Sequence, residues 1–479
     1  MPKFESVMSQ TLLYGFSIAI MKGISILMLP FIATQLSQEA FGRLEVLASF
    51  AVIGSILVGL GLEDTLYRFA GQAGSPDARK QVAARVFGFA LTAGAILLIL
   101  AWFSAASLVK WLPGGITTYE IRLILLVLAL EGAIAVPMGW LRMQDRALVF
   151  FTSSISRAAI QAGLILVMLQ PGDDITAVLE AGLIAATLQA TALFCLQVRD
   201  TGISLRLGKS GSLIHYSLPI VGSGLIAFAL NGLDRWIIAD QVGLVAVAEY
   251  GVASKFALAA VLLLQPFSMW WSPKRFQVIA GADGKRAAVR IIGVGISLCL
   301  IICVGVASAA PIIISLLMPA DYVLAATYTV GLVLAMTLRE ICELVNIGCY
   351  LNRSTMTQLW INLLGSMIGL AVMLALVGQQ GVWGVIAALI TSQAVRLVLF
   401  FRASQSFERL EYPLGRLALL GAQALCWIGI STQMNGLQQQ IGFVVLASAA
   451  MVISAIGLKL LPGFPRRGEA AVSARVLEW

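Results

Sequence analysis

The chain has 479 residues, 59% of them hydrophobic and 12% charged, with a net charge of +8 and a mean hydropathy of +0.92. A soluble domain averages about 45–50% apolar and about 25% charged, so these figures exclude a soluble globular or disordered chain. The positive charge does not call for nucleic acid, because basic cytoplasmic loops account for it in a membrane protein.

A membrane-spanning helix needs about 20 mostly apolar residues. Fourteen such runs follow one another, near 10–34, 44–64, 84–109, 120–141, 147–169, 175–198, 214–239, 247–271, 289–317, 323–350, 355–377, 382–402, 414–433 and 438–461. The first lies in MPKFESVMSQTLLYGFSIAIMKG; it is long enough to span and shows no small-residue cleavage site, unlike a signal peptide. Breakers mark the turns: PGG at 113–115, QPGDD at 170–174, MPAD at 318–321, GQQG at 378–381 and MNG at 434–436. An all-α polytopic membrane protein is predicted. The six cysteines, Cys195, Cys299, Cys303, Cys342, Cys349 and Cys426, all fall within apolar runs and are expected to be buried packing residues, with no disulfide framework and no metal site.

The cations give the orientation. With the N-terminus inside, 23 of the 32 Lys and Arg fall on the cytoplasmic side, and only Arg43, Lys110 and Arg122 fall outside. This is a strong positive-inside bias. It puts both termini in the cytoplasm.

Three short motifs carry no chemistry. GISLRLGKSG (202–211) has five residues between Gly202 and Gly208, one too many for a phosphate loop, and no strand precedes it. QPGDD reads as a turn in which Asp174 caps the next helix. His215 is the single histidine, and Gly365 with Gly369 reads as a helix-packing surface. No catalytic set is present, and an enzyme is not expected.

The chain repeats itself. IATQLSQEAFGRLEVLASFA (32–51) and IADQVGLVAVAEYGVASKFA (238–257) agree at 7 of 20 positions, an offset of 206. Arg68-Phe69 and Arg275-Phe276 echo each other one residue out of step, as do Asp145-Arg146 and Asn352-Arg353. Each half then holds six spans, both starting inside, which makes a parallel repeat. The expected organisation is an N-lobe (1–205), a C-lobe (206–405), two further spans (406–461) and a cytoplasmic tail (462–479).

Ionisable groups inside the hydrocarbon face a cavity or a partner. In span 10, Arg339, Glu343, Asn346 and Tyr350 recur at steps of 4, 3 and 4 and so share one helical face. That face is either a cavity wall for a polar or anionic substrate or a self-neutralising Arg339–Glu343 pair. Lys22 and Arg157 lie near mid-depth, and Lys22 either lines the cavity or bridges to Glu131. Lys255 and Arg396 sit closer to span ends, where they can snorkel. Glu131, Asp234, Glu340 and Glu343 are candidate coupling carboxylates for H+ or Na+. In LDRWIIAD (233–240) an acid and a base adjoin. Neighbouring helical residues point about 100° apart, so Arg235 is expected to line the cavity while Asp234 braces a neighbouring helix through Lys255.

The lysine-bearing first span, LPFIATQLSQEAFGRLEVL, LGLEDTLYRF and NGLDRWIIADQVG with VAEYGVASKF resemble the polysaccharide-exporter and O-antigen flippase branch of the multidrug/oligosaccharidyl-lipid/polysaccharide superfamily. The resemblance covers the whole chain in topology and mainly 12–70 and 214–276 in motif detail. It implies two six-helix lobes around a central cavity, alternating access and a bacterial inner membrane location. It implies transport of undecaprenyl-pyrophosphate-linked oligosaccharide to the periplasmic leaflet, with no cofactor and with coupling to H+, Na+ or the membrane potential. Lys22, Arg157, Arg235 and Arg339 would face the pyrophosphate or acidic sugars, beside Glu343, Asn346 and Tyr350. The implied partners are the lipid-linked oligosaccharide, the bilayer, and polysaccharide polymerase or chain-length proteins. The alternatives are a drug/cation antiporter or lipid II flippase of the same superfamily, or a non-transporting subunit of a polysaccharide synthase.

Overall fold

A computed structural model describes residues 4–59, 61–172, 174–205, 210–281, 283–351, 356–434 and 436–462. The turn at Asn352-Arg353, the basic residues Arg206 and Lys209, and the tail from 463 onward lie outside them. Among the described residues, twelve helices are long and apolar enough to cross a membrane. Helices over Phe4–Gln35 and Ser210–Asn231 fall where the first and seventh apolar runs were read. The fold is all-α, in the order the hydropathy pattern predicts.

The chain forms two compact units. The first runs to Lys255. It holds α1 (Phe4–Gln35), α2 (Gln38–Gly59), α3 (Leu62–Gly71), α4 (Pro76–Val109), α5 (Thr118–Ala129), α6 (Glu131–Met143), α7 (Ala147–Met168), α8 (Thr176–Thr201), α9 (Ser210–Asn231), α10 (Leu233–Gln241) and the first turns of α11 (Leu244–Ile279). Two later stretches, Ile314–Tyr328 and Asn362–Ser392, also belong to it. The second unit holds the rest of α11, most of α12 (Gly284–Leu317), α13 (Val323–Val345) from Thr329, α14 (Ile347–Leu351), the start of α15 (Met356–Gln380), α16 (Val382–Phe407) from Gln393, α17 (Leu414–Ser431) and α18 (Leu437–Gly457).

Local chemistry sets the helix ends. Pro76 opens α4 with Ser75 as N-cap, its hydroxyl accepting from the Ala78 N–H at 3.2 Å. Thr117 and Glu120 form a capping box at α5. Glu120 is fully buried there, and Arg43 stands 3.6 Å away, itself paired to Asp174. Asp174 also accepts from the Ile175 N–H at the head of α8. Between α2 and α3, Gly61 takes the left-handed conformation (φ 57°) that an L side chain resists.

The cores are compact apolar clusters. Leu62 and Leu66 of α3, Val86 and Phe87 of α4, and Val136 and Trp140 of α6 pack together in the first unit. In the second, Leu264, Trp271, Ile292, Ile296, Leu344 and Leu410 do so. Opposite faces leave Phe103, Val167, Val445 and Ile453 bare. In water such patches would drive association; on membrane spans they face acyl chains. The same logic corrects one expectation: Cys299, Cys303, Cys342 and Cys349 are buried, but Cys195 and Cys426 are exposed. An apolar run does not distinguish the protein interior from lipid, because both accept a thiol.

Gly88 lets the Ser204 carbonyl touch α4, and a Cβ there would run into that oxygen. The Ser204 N–H also donates to the Ala84 carbonyl at 3.0 Å. Gly88→Ala is therefore expected to destabilise the first unit by about 1–3 kcal/mol, as overpacking does. A lowered thermal midpoint of the purified protein in detergent would register it; an unchanged midpoint would mean that the 202–205 segment yields without cost.

Candidate functional site

Among the described residues, three clusters hold the charged groups singled out from the sequence. The first joins α2, α10 and α11 inside the first unit. Glu45, 3% exposed, is its centre. The Arg235 guanidinium lies 3.3 Å from Glu45 Oε2, 3.3 Å from Asp234 Oδ1 and 3.1 Å from Ser254 Oγ. The Lys255 ammonium donates to Glu45 Oε1 and rests 5.2 Å over the Phe41 ring. Tyr250, fully buried, donates its hydroxyl to Asp234 Oδ2. Two acids thus balance two bases. Buried charge is tolerable only in such a set, because one unpaired ion would carry the full desolvation cost.

Arg235 therefore engages Asp234 and Glu45 together, although adjacent helical residues diverge at Cα. The guanidinium reaches back along its own helix, and the Asp234 carboxylate turns to accept from the Arg235 backbone N–H at 2.8 Å. The expected Asp234 brace does reach α11, but through Tyr250; Lys255 goes to Glu45 instead.

The repeat explains the crowding. At the 206-residue offset, Glu45 corresponds to Gly251. A Cβ on Gly251 would stand 2.6 Å from Glu45 Cγ. Equivalent positions of the two halves thus meet face to face. One carries the carboxylate, and the other must be glycine to admit it. Nearby, Gly42 of α2 abuts the Leu244 carbonyl at the head of α11. Gln38 donates to the Asp321 carbonyl at 2.6 Å, and Phe41 meets Tyr322 edge to face.

The second cluster lies on α6, α7 and α8. Arg157 donates to Gln189 Oε1 at 3.1 Å and is attracted by Glu131. The Gln189 amide in turn donates to Ser153 Oγ at 3.2 Å. Lys22 of α1 is exposed and, among the described residues, has no ion-pair partner; it lies near enough to Lys255 for the two cations to repel.

The third cluster is in the second unit. Glu343 accepts from the Asn346 amide at 3.1 Å and lies 3.9 Å from Arg396. Arg396 also donates to Gln393 Oε1 at 2.7 Å. Asn346 is 2% exposed, and its Oδ1 has no partner. The Arg275 guanidinium stacks on the Tyr350 ring, 3.9 Å from its centroid. Two of the four stripe residues thus meet an arginine, Glu343 with Arg396 and Tyr350 with Arg275; Asn346 joins them through Glu343, while Arg339 turns to Glu340 at 3.5 Å. Arg275 follows the eighth apolar run (247–271); α11 continues to Ile279, so it stands on the helix and not in a loop.

These clusters set cations against carboxylates and amides, and among their ion-paired acids Glu343 is the most open to water, its side chain 46% exposed. A family model described as "polysaccharide biosynthesis protein" matches residues 7–274. No curated protein sequence matches the chain. Among solved structures, the lipid II flippase MurJ in an inward closed conformation aligns with a TM-score of 0.75 at 12% identity, covering 94% of this chain and 99% of that one. An inward-facing multidrug resistance MATE family transporter of the MOP superfamily aligns with a TM-score of 0.61 at 16% identity, covering 83% and 94%. A variant of the Vibrio cholerae MATE transporter VcmN gives 0.56 at 15% identity, covering 84% and 96%.

Proposed function

The chain belongs to the polysaccharide biosynthesis protein family, and we propose that it is a flippase of the MOP superfamily that acts on undecaprenyl-pyrophosphate-linked oligosaccharides. It moves them from the cytoplasmic to the periplasmic leaflet of a bacterial inner membrane by alternating access, and it is a transporter rather than an enzyme. The observation that carries this reading is the Glu45–Arg235–Lys255–Asp234 cluster. It ties α2 of the first repeat half to α10 and α11 of the second through ion pairs that share Glu45 and Arg235.

With this latch shut, the outer side is closed, and the cations near mid-depth accept the pyrophosphate from the inner leaflet. In the first unit these are Lys22 and Arg157; in the second, taken by itself, Arg339 is the candidate. Each offers charge-assisted hydrogen bonds, Arg in the forked geometry that suits phosphate. When the latch opens outward, the sugars leave first and the lipid tail follows along apolar surface. Spans 13 and 14 (406–461) supply such surface at Leu419, Leu425, Val445 and Ile453. Among the candidate coupling carboxylates Glu131, Asp234, Glu340 and Glu343, we favour Glu343 for H+ or Na+, because its side chain is 46% exposed beside Arg396.

The MATE likeness keeps a drug antiporter as the second reading, but that alignment covers 83% of this chain against 94% for the lipid II flippase. Deletion of the gene decides between them. Lipid-linked oligosaccharide is expected to accumulate on the cytoplasmic face. Normal translocation with altered drug tolerance would favour the antiporter instead. Within the flippase reading, Arg339→Glu sets an acid beside Glu340 and should lower surface polysaccharide by about tenfold or more, a loss of about 1.4 kcal/mol in binding or barrier. Protein amount is expected to stay constant. Wild-type export from that variant would remove Arg339 from the transport path.

A further inference from the structure

We propose that the second unit carries a separate anion site that holds the phosphate of an anionic membrane lipid. A cavity of about 610 Å³ opens where the head of α12, the 408–413 segment and the end of α18 converge. Lys285, Arg286, Arg290, Arg409, Lys459 and Glu411 line it. Two of the five cations are spent: Lys285 pairs with Glu408, and Arg286 lies 3.9 Å from Asp283. Arg290, Arg409 and Lys459 have no ion-pair partner among the described residues, and Glu411 offsets only one of them. The three are brought together from distant parts of the chain. The cavity holds an uncompensated positive charge, which a phosphate would neutralise by charge-assisted hydrogen bonds.

A second observation singles out Lys459. It sits in the left-handed region at φ 57°, closing α18 with the Leu460 N–H bonded to the Ala455 carbonyl at 2.9 Å. Glycine is the usual residue in that place, since a side chain is strained there. A strained lysine at the rim of a charged cavity marks a functional position. The α12 N-terminus faces the same cavity and adds the positive end of a 34-residue helix.

The surroundings select a lipid over a free ion. Val289, Pro413 and Leu460 form an apolar wall of the cavity. Just beyond it, Leu414 and Leu419 of α17 and Ile453 of α18 are bare. A phosphate in the cavity would extend its acyl chains along these membrane helices. The inference rests on α17 and α18 being membrane helices and does not require the transport reading.

Native mass spectrometry of the purified full-length protein with phosphatidylglycerol or phosphatidylcholine tests it. The wild type is expected to retain phosphatidylglycerol in preference. The double variant Arg290→Gln/Arg409→Gln should lose that preference by about tenfold, keeping its phosphatidylcholine occupancy. Lys459→Gly, which suits the backbone, should weaken phosphatidylglycerol retention without lowering the thermal midpoint. Equal retention by the double variant overturns the site. Displacement of the lipid by an equal concentration of glycerol phosphate overturns the lipid assignment and leaves a free-phosphate pocket. Transport is not read in this experiment, so its failure and that of the flippase reading are distinct.

Discussion

Glu45→Gln is expected to shift the protein about 100-fold toward a state open on its outer side. The substitution keeps the shape of the side chain and removes the charge that Arg235 and Lys255 share. Arg235 retains Asp234, but Lys255 has no other acid within 4 Å among the described residues, and Lys22 repels it. Removing one partner of a buried pair costs about 3–5 kcal/mol. The Lys255 side chain is 32% exposed, so water recovers part of that, and about 2–3 kcal/mol is a reasonable figure. At about 1.4 kcal/mol per tenfold, this is roughly a 100-fold change in the closed-to-open ratio. A cysteine placed at Ser254 should become reactive to an impermeant maleimide added outside cells, and transport should fall. The double variant Glu45→Gln/Lys255→Gln removes one charge of each sign and leaves Arg235 with Asp234. It is expected to close again, giving a coupling energy of about 1–3 kcal/mol in the cycle. Labelling of the single variant at the wild-type rate would mean that the cluster only fills space.

The fold was legible because its driving force is one-dimensional. Length, hydropathy and the Pro/Gly turns place the apolar helices, twelve of them long enough to span among the described residues, without any knowledge of what packs against what, since a span must satisfy its own backbone hydrogen bonds. The limits of that signal show at the cysteines. Cys195 and Cys303 both fall within apolar runs, yet one is exposed and the other buried. Hydropathy reports transfer out of water and says nothing of whether lipid or protein receives the group. Helix ends were less visible for a related reason: α11 continues to Ile279, past the point where Lys274 and Arg275 suggest water. Stacking on Tyr350 gives Arg275 a protein partner.

The site was legible as a list of charges and not as a set of pairs. Period 3.6 put Glu343, Asn346 and Tyr350 on one face, and they meet in the structure. Arg339 lies on the same face but turns to Glu340, because a long side chain leaves the stripe its Cα defines. Asp234 and Arg235 show the same limit. Glu45 lies near the end of an apolar run, where an acid is ordinary, and only the repeat sets it apart. Its counterpart at the 206-residue offset is a glycine, and an acid opposite a glycine is what two symmetric positions require when only one side chain fits between them. Tyr250 and Ser254, which complete the latch, carried no signal at all in an apolar helix.

Arg157→Glu should abolish translocation, with a loss of more than 100-fold. Arg157 is half-buried, and its guanidinium is the donor that faces Gln189 Oε1, with Glu131 as its electrostatic counterweight. A charge-assisted hydrogen bond contributes about 1.5–3 kcal/mol, so removing the cation by Arg157→Gln should cost the pyrophosphate about 10- to 100-fold in affinity. Reversal adds repulsion from a carboxylate where the anion must sit, and a second one beside Glu131. The fold has a way to absorb the change: the Gln189 amide can turn and donate to the new acid. Protein amount and thermal midpoint are therefore expected to remain close to wild type, while export in a deletion strain falls. The double variant Arg157→Gln/Glu131→Gln separates the two roles this arginine can have. If Arg157 serves only to neutralise Glu131, removing both charges restores export. If it receives the pyrophosphate, export stays lost in the double variant and only the stability recovers. The geometry favours the second result, because the bound partner of Arg157 is a neutral amide, and the guanidinium keeps donors to offer an incoming anion.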